Sequence, residues 1–523
     1  MSATRSCSLR WRPRLLLRRR PGPRCGSRCA PIPCSFRGNN RPPPLREVTR
    51  SVLTTERRLG AGATLRTGVR AAYRGVAEIA GEPHAVRSDL AAGDAKPEGK
   101  AIACFVHITD LHVTDAQSPA RFEFINREAE DPRFRELLTM QRPHELLNTH
   151  AIAAMVRAIN TVAEGPLTRS AVQLAAMTGD AVDNAQRNEL TNFLSLFDGG
   201  DVRPDSGAPG YDGVQRADWP GDIFWKPDGL PADDLFQRNL GFPQHPGLLD
   251  VATLPFQSEG LAVPWLRCWG NHEQVCQGVG VVTAALADAM TGSRKPIELP
   301  PGLDRNRAVD VFVANPERYM SGASLVVPAD PERRPIKRSD LLPASYYVHD
   351  SGSVRFITLD TVCDAGGADG TIDAAQLQWL EERMGEARDR YVVILSHHGY
   401  DTLSNPRGER RADELLALLQ RFPNVVLWLN GHIHANRITP RGGFWEVTTS
   451  SMVDWPCQAR LIEIYRTGDG LLAIGCTMLD HDGAGLAGLH RELAGNIPLN
   501  GFDSWRGGMP ADRNTILLVP NPR

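Results

Sequence analysis

The sequence predicts an α/β fold, on three observations. Apolar runs of strand length recur along the chain, at 101–109, 172–178, 263–269, 354–359, 391–395 and 425–429. Segments with helical periodicity stand between several of them, and five of the runs end in a small polar cluster. Strands alternating with helices imply crossover connections and parallel pairing. In such sheets ligands gather at the carboxyl ends of the strands.

Taken in order, residues 1–45 are rich in Arg and Pro and are expected to be disordered. Arg18, Arg19 and Arg20 invite a twin-arginine export reading. Pro21-Gly22-Pro23 follows, however, where a signal needs about 7–15 apolar residues. The prolines equally oppose an amphipathic transit helix, so no targeting signal is legible, and a misassigned start is an alternative account. Residues 46–100 form a weakly patterned extension. The strand at 101–109 ends at Asp110-Leu111-His112. A long helix should follow, with Leu146, Leu147, Ile152, Met155, Val156, Ile159 and Val162 near a 3.6 period. The strand at 172–178 ends at Gly179-Asp180.

Residues 199–262 read as an ordered but irregular insertion, because disordered tracts are poor in Trp and Phe. Its Trp219, Phe224, Trp225, Phe236 and Phe242 are expected to form a satellite core, stacking on a substrate ring being the alternative. The run at 263–269 leads into Gly270-Asn271-His272-Glu273, and a second insertion spans about 278–345. The strand at 354–359 ends at Asp360, read as a turn residue. A helix is expected over 373–386, with Leu377, Leu380 and Met384 on one side. The strand at 391–395 ends at Ser396-His397-His398. A helix over 412–420 precedes the strand 425–429, which ends in Asn430-Gly431-His432-Ile433-His434. In extended backbone the last two histidines share a face. Runs at 445–449, 460–465 and 471–477 read as closing antiparallel strands. The domain so defined covers 101–480, and 481–523 is a Gly- and Pro-rich tail.

Composition sets the bounds. With 523 residues, 41% hydrophobic and 23% charged, the chain is of the soluble globular class. No run approaches the roughly 18–20 apolar residues of a membrane-spanning helix. Residues 1–50 hold 13 Arg, no Lys and one acid, a net +12 against −14 for the remainder. An acidic body argues against a nucleic-acid polymer as partner. It does not argue against a small phosphate ester, since bound cations would dominate the local field. The ten cysteines include no CxxC pair, and Cys104 and Cys268, in apolar runs, are expected as buried thiols.

Asp, His and Asn offer oxygen and nitrogen ligands without thiolate. That suits divalent Mn, Fe, Zn or Mg rather than a structural zinc site. A carboxylate can bridge two such ions about 3.5–4 Å apart, and the pair can clamp a phosphoryl group and activate water. The plain alternative for Asp110, Asp180, Asn271 and His432 is strand-end capping. Each motif alone is weak; five in order, each after a strand, are not.

DLH, GD, GNHE, SHH and GHIH in that order resemble the calcineurin-like metallophosphoesterases, over about residues 101–480. The likeness is to a bacterial subgroup with long insertions, often exported by a twin-arginine signal. The resemblance implies a four-layer α/β/β/α sandwich and a dinuclear centre of two divalent ions. Asp110, His112 and His434 would hold one ion and Asn271, His397 and His432 the other, with Asp180 bridging. His397 is chosen over His398 because the family's ligand directly follows the strand. His272 would protonate the leaving oxygen and Asp183 would orient it, although Asp183 could also be an exposed carboxylate at a helix start.

The function so implied is metal-dependent hydrolysis of a phosphodiester or small organophosphate by a bridging hydroxide. A phosphomonoesterase or nucleotidase of the same fold, or a non-catalytic metal-binding scaffold, are the alternatives. No residue is assigned to the substrate, and location is open between export and cytoplasm. Other motifs are set aside. His144 and His150 are spaced i, i+6 instead of the i, i+4 of a zincin helix, and Gly278-Val279-Gly280 lacks the third glycine of a dinucleotide loop. Arg121 and Arg127 are expected on a solvated helix face, a phosphate contact being the alternative.

Overall fold

Side chains on successive residues of a strand point to opposite faces, and here both faces are covered. In the strand Tyr391–Leu395, Tyr391, Val393 and Leu395 enter one apolar core while Val392 and Ile394 enter another. The strand Ala103–Ile108 does the same, Ala103 and Phe105 facing one way and Cys104, Val106 and Ile108 the other. This double burial is why the runs read as continuously apolar.

The computed structural model describes residues 52–523 apart from 138 and 343. The expectation of disorder over 1–45 lies outside those residues. Two sheets carry the fold. One has seven strands in the order Ala85–Arg87, Thr515–Val519, Leu472–Leu479, Ala459–Arg466, Ala103–Ile108, Leu174–Met177 and Trp265–Arg267. The other has six, in the order Tyr347–Ser351, Val354–Thr358, Tyr391–Leu395, Val425–Asn430, Trp445–Thr448 and Arg437–Pro440. Phe105, Leu174, Ile462 and Ile474 of the first sheet meet Phe356, Val393, Leu427 and Val447 of the second in a shared core. The helices Asn148–Thr161 and Arg187–Asp198 cover the outer face of the first sheet through Ile152, Val156, Leu190 and Phe193. Ala374–Gly385 and Ala412–Gln420 cover the second through Leu380, Met384, Leu415 and Leu419. The result is the four-layer α/β/β/α sandwich.

The motif-bearing strands are parallel within each sheet: Ala103–Ile108 with Leu174–Met177 and Trp265–Arg267, and Val354–Thr358 with Tyr391–Leu395 and Val425–Asn430. Their carboxyl ends therefore lie together. Of the three closing strands, Ala459–Arg466 and Leu472–Leu479 are antiparallel as expected. Trp445–Thr448 is not: it runs parallel to Val425–Asn430. A short strand, Arg437–Pro440, intervenes and turns the chain back, pairing antiparallel with Trp445–Thr448.

Segments flanking 101–480 contribute to the sandwich. Ala85–Arg87 and Thr515–Val519 extend the seven-stranded sheet. The helix Gly485–Gly495 is tied to Asn148–Thr161 by His490, whose Nε2 lies 2.6 Å from Asn148 Oδ1. Aromatics of the first insertion pack as satellite cores, Trp225 and Phe242 with Tyr73, and Trp219 and Phe224 with Val214. Cys104 and Cys268 are buried thiols. Among the described residues no helix is long and apolar enough to cross a membrane.

Candidate metal centre

The loops after five strands interlock before any side chain is considered. Asp110 N donates to Gly179 O at 3.1 Å, and His112 N to Asp180 O at 3.0 Å. His432 N lies 3.1 Å from both carboxylate oxygens of Asp110, and His272 N donates to Asp180 Oδ1 at 2.8 Å. Asp110, His112, Asp180, His432 and His434 all adopt positive φ, between 48° and 69°. Such backbone is unfavourable for side-chain-bearing residues and is found where surrounding structure imposes it. Two glycines permit the approach. A Cβ on Gly270 would overlap Asp180, and one on Gly431 would overlap Thr109 Oγ1 and Asp110 Oδ2.

The side chains then converge in two groups. In one, His112 Nε2 lies 3.1 Å from His434 Nε2 and 3.7 Å from Asp180 Oδ2, and His434 Nε2 lies 3.3 Å from Asp110 Oδ1. In the other, Asn271 Oδ1 is 3.0 Å from His397 Nε2 and 3.1 Å from His432 Nδ1, and His397 Nε2 is 3.2 Å from Asp180 Oδ2. Asp180 Oδ2 is common to both. All seven ligands expected from the motifs meet here.

The donor set fits cations. Metal-binding histidines usually engage the second ring nitrogen with a carboxylate or carbonyl, which fixes the tautomer. His434 Nδ1 lies 2.7 Å from Asp454 Oδ2, His397 Nδ1 2.7 Å from Thr178 O, and His112 Nδ1 3.2 Å from Asp183 Oδ1. His432 Nε2 faces Asp369 Oδ1 at 3.6 Å. Each ring thus turns its other nitrogen inward, where Asp110, His112, Asp180 and His434 place ligand atoms within 4.8 Å of one another. His397, His398 and His432 are also close enough to share an ion. Both nitrogens of His398 are engaged, however, Nδ1 with Thr361 Oγ1 and Nε2 with Ala368 O, each at 2.9 Å.

Electrostatics follow from burial against charge. Burial alone would raise Asp110, but His434 and His397 hold its carboxyl down at about 2. Asp180 is likewise held well below the usual range by His397, His272 and His112, against its burial. Burial would lower His397, yet Asp180 and Asp110 lift it to about 9. The two carboxylates thus favour a positive charge at this point, which a bound cation would supply. His112 falls to about 4, chiefly through burial and the neighbouring His272. His272 is raised despite burial, by Asp180 and Asp183.

His272 keeps the most open side chain of the group, 17% exposed, with His432 next at 14%. Its Nδ1 is 2.8 Å from the backbone oxygen of Asp183 and 3.5 Å from that residue's Oδ1. The Asp183 carboxylate is therefore nearer to His112 than to His272.

Several residues at the centre were not expected. Asp454, buried beside His434, receives Arg142 Nε at 2.9 Å. Glu273 belongs to a quoted motif but had no role assigned. Its carboxylate accepts from the backbone N–H groups of Asp180 (3.1 Å), Ala181 (2.7 Å) and Gly270 (2.5 Å), tying two motif turns together. Burial and the adjacent Asp180 push it to about 7. Neither arginine lies on a solvated helix face. Arg121 is buried among acids, and Arg127 donates to Ile297 O and Pro220 O at 2.7 and 3.0 Å. Asp360 caps a turn, accepting from Val362 N at 3.1 Å.

Residues 221–436 match the calcineurin-like phosphoesterase family model. That span contains the Asn271, His397, His432 and His434 motifs; those of Asp110 and Asp180 lie upstream and join through geometry. Among curated proteins, the chain is 37% identical over 70 residues to the 3',5'-cyclic adenosine monophosphate phosphodiesterase CpdA of Escherichia coli (strain K12), which is 12% of this chain and 25% of that protein. It is 33% identical over 92 residues to the glycerophosphodiester phosphodiesterase GpdQ of Enterobacter lignolyticus, 17% of this chain and 33% of that protein. With the Pseudomonas aeruginosa CpdA the identity is 30% over 147 residues, 26% and 50% of the two chains. The chain thus spans a quarter to a half of the length of these relatives. A dimetal phosphatase from Danio rerio aligns over 73% of this chain and 96% of its own, at 13% identity and a TM-score of 0.37. The ordered motifs and their meeting at the strand ends of the sandwich agree with the matched segment: over residues 221–436 this chain is similar to the calcineurin-like phosphoesterases.

Proposed function

We propose that the protein is a metal-dependent phosphoester hydrolase, with a phosphodiester or small organophosphate as substrate. The observation that carries this reading is the convergence of Asp110, His112, Asp180, Asn271, His397, His432 and His434 into two donor groups sharing Asp180 Oδ2, with His272 at their open side. The first three residues would hold one ion with His434, and Asn271, His397 and His432 would hold the other with Asp180. Bound there, two divalent ions would supply Lewis acidity and activate a water for in-line attack on phosphorus.

The chain's own groups do the rest. His272 is raised above the usual imidazole range by Asp180 and Asp183, in spite of burial. The two carboxylates thus favour its protonated form, the form that can give a proton to the departing oxygen. Asp183 O receives its Nδ1 and fixes the ring. Asp454 and Thr178 O hold His434 and His397 in place. Side chains of the donor residues are at most 14% exposed, so the centre admits a small ester more readily than a folded protein's surface. The matched relatives are phosphodiesterases of small molecules by name, which favours the diester over the monoester.

The test is hydrolysis of bis-p-nitrophenyl phosphate and p-nitrophenyl phosphate by purified protein, with Mn²⁺ added and after chelation. Metal-dependent turnover, faster on the diester, is expected. Faster monoester cleavage would make it a phosphatase or nucleotidase. No turnover with Mn, Fe, Zn or Mg would leave a binding scaffold.

A further inference from the structure

Beneath the side of the centre that carries His272 lies a closed group of charges for which the motifs do not account. Arg121 and Lys295 are 1% and 0% exposed, and Glu123, Glu145 and Asp183 are buried beside them. Arg121 forks onto Glu145 with both terminal nitrogens and lies 3.2 Å from Glu123 Oε2. Its Nη2 is also 3.1 Å from Asp183 Oδ2. Gln277 Nε2 stands 3.3 Å from that same oxygen. Lys295, brought in by the strand Arg294–Pro296 of the second insertion, pairs with Glu123 and donates to Ser118 O at 2.6 Å.

A buried ion group of this sort adds little to stability compared with apolar residues of equal volume. Its placement has another consequence. Asp183 has two carboxylate oxygens with different partners. With Oδ2 held by the guanidinium, Oδ1 is turned toward both imidazoles, 3.2 Å from His112 Nδ1 and 3.5 Å from His272 Nδ1. The same anchoring fixes the Asp183 backbone, whose oxygen lies 2.8 Å from His272 Nδ1. A planar fork can serve Glu145 and Asp183 at once; an ammonium group cannot do so with the same geometry.

We propose that Arg121 is a positioning residue for His272. By fixing Asp183 it keeps the imidazole with Nδ1 inward and Nε2 toward the leaving oxygen. The second insertion, through Lys295 and Glu123, closes the cage that holds Arg121. This assignment rests on the hydrolase reading for its kinetic consequence, but not for its structural one.

The test uses Arg121→Lys in the full chain, with metal content measured alongside. Protonation matters most when the leaving group is poor, so diphenyl phosphate is compared with bis-p-nitrophenyl phosphate. An acid–base contribution is typically worth at least about 100-fold. Kcat on diphenyl phosphate should therefore fall by about 100-fold, and on the nitrophenyl ester by less than about 5-fold. Because Asp183 also backs His112, assays are made at saturating Mn²⁺, where KM stays unchanged, and in a His272→Ala background the substitution adds no further loss. Equal loss on both esters at saturating Mn²⁺, or no loss on either, would overturn the proposal.

A second readout needs no turnover. In ¹H–¹⁵N imidazole spectra, the slowly exchanging Nδ1–H of His272, identified by its disappearance in His272→Ala, should vanish in Arg121→Lys. Its persistence overturns the proposal, even if the wild-type protein cleaves no ester and the hydrolase reading has failed separately. If Arg121→Lys does not fold, Arg121→Met with Glu145→Gln removes the guanidinium without leaving its main partner charged, and the same outcomes apply.

Discussion

His397 is held between two carboxylates, and its protonation is the property of the centre most open to measurement. Its folded pKa of about 9 lies above the ordinary value of 6.5. In metal-free protein its stabilising contribution is therefore complete below pH 6.5 and is lost as pH rises through 9. A cation needs the unprotonated ring, so metal affinity should run the opposite way, increasing across that window and releasing a proton on binding at pH 7.5. Calorimetry in buffers of different ionisation enthalpy reads the proton count directly; binding without proton release would contradict the assignment.

Two substitutions separate roles at this scale. His272→Ala should lower turnover of a poor leaving-group ester by about 10²–10⁴-fold with metal content unchanged; loss of metal would make the residue structural. Asp454→Asn should weaken metal binding by about 10–100-fold, as removal of a carboxylate behind a histidine ligand does, and titration with Mn²⁺ measures it. The proposed ligands were legible in the sequence because each directly follows an apolar run. Asp454 was not, since it comes from a loop that ends no motif-bearing strand. Nor was the positive φ at Asp110, His112, Asp180, His432 and His434, for nothing in a sequence announces strain that tertiary contacts impose.

Among the elements, strands buried on both faces were the clearest signal, and the expected ranges lie within a few residues of those observed. Arg437–Pro440 escaped notice because four residues ending in proline carry neither alternation nor an apolar run. Missing it reversed the expected direction of Trp445–Thr448. The turns themselves depend on Glu273, which caps four backbone N–H groups, those of Gly270, Asp180, Ala181 and Val182. Glu273→Gln replaces one accepting oxygen with a donor facing those groups and should cost about 1–3 kcal/mol in urea unfolding. The satellite core of the first insertion offers a contrast. Trp225 is fully buried in a core that contains none of the donor residues, so Trp225→Ala should cost about 3–5 kcal/mol while leaving kcat on bis-p-nitrophenyl phosphate nearly unchanged.

At the level of the whole molecule, the α/β class followed from alternation alone, whereas the pairing of two sheets face to face required the family resemblance. The share of the flanking segments was illegible for a physical reason: the strands Ala85–Arg87 and Thr515–Val519 are three and five residues long and gain their burial from partners distant in sequence. The origin of the ligands adds one more property. Asp110, His112, Asp180 and Asn271 follow strands of the seven-stranded sheet, while His397, His432 and His434 follow strands of the six-stranded one. Each ion would take ligands from both, riveting the two halves of the sandwich along one rim. At an ion concentration 1,000-fold above its dissociation constant, such a rivet is worth about 4 kcal/mol. Stripping the ions should then do more than silence chemistry: the seam itself would loosen, and a chelator would act on this protein as a mild denaturant.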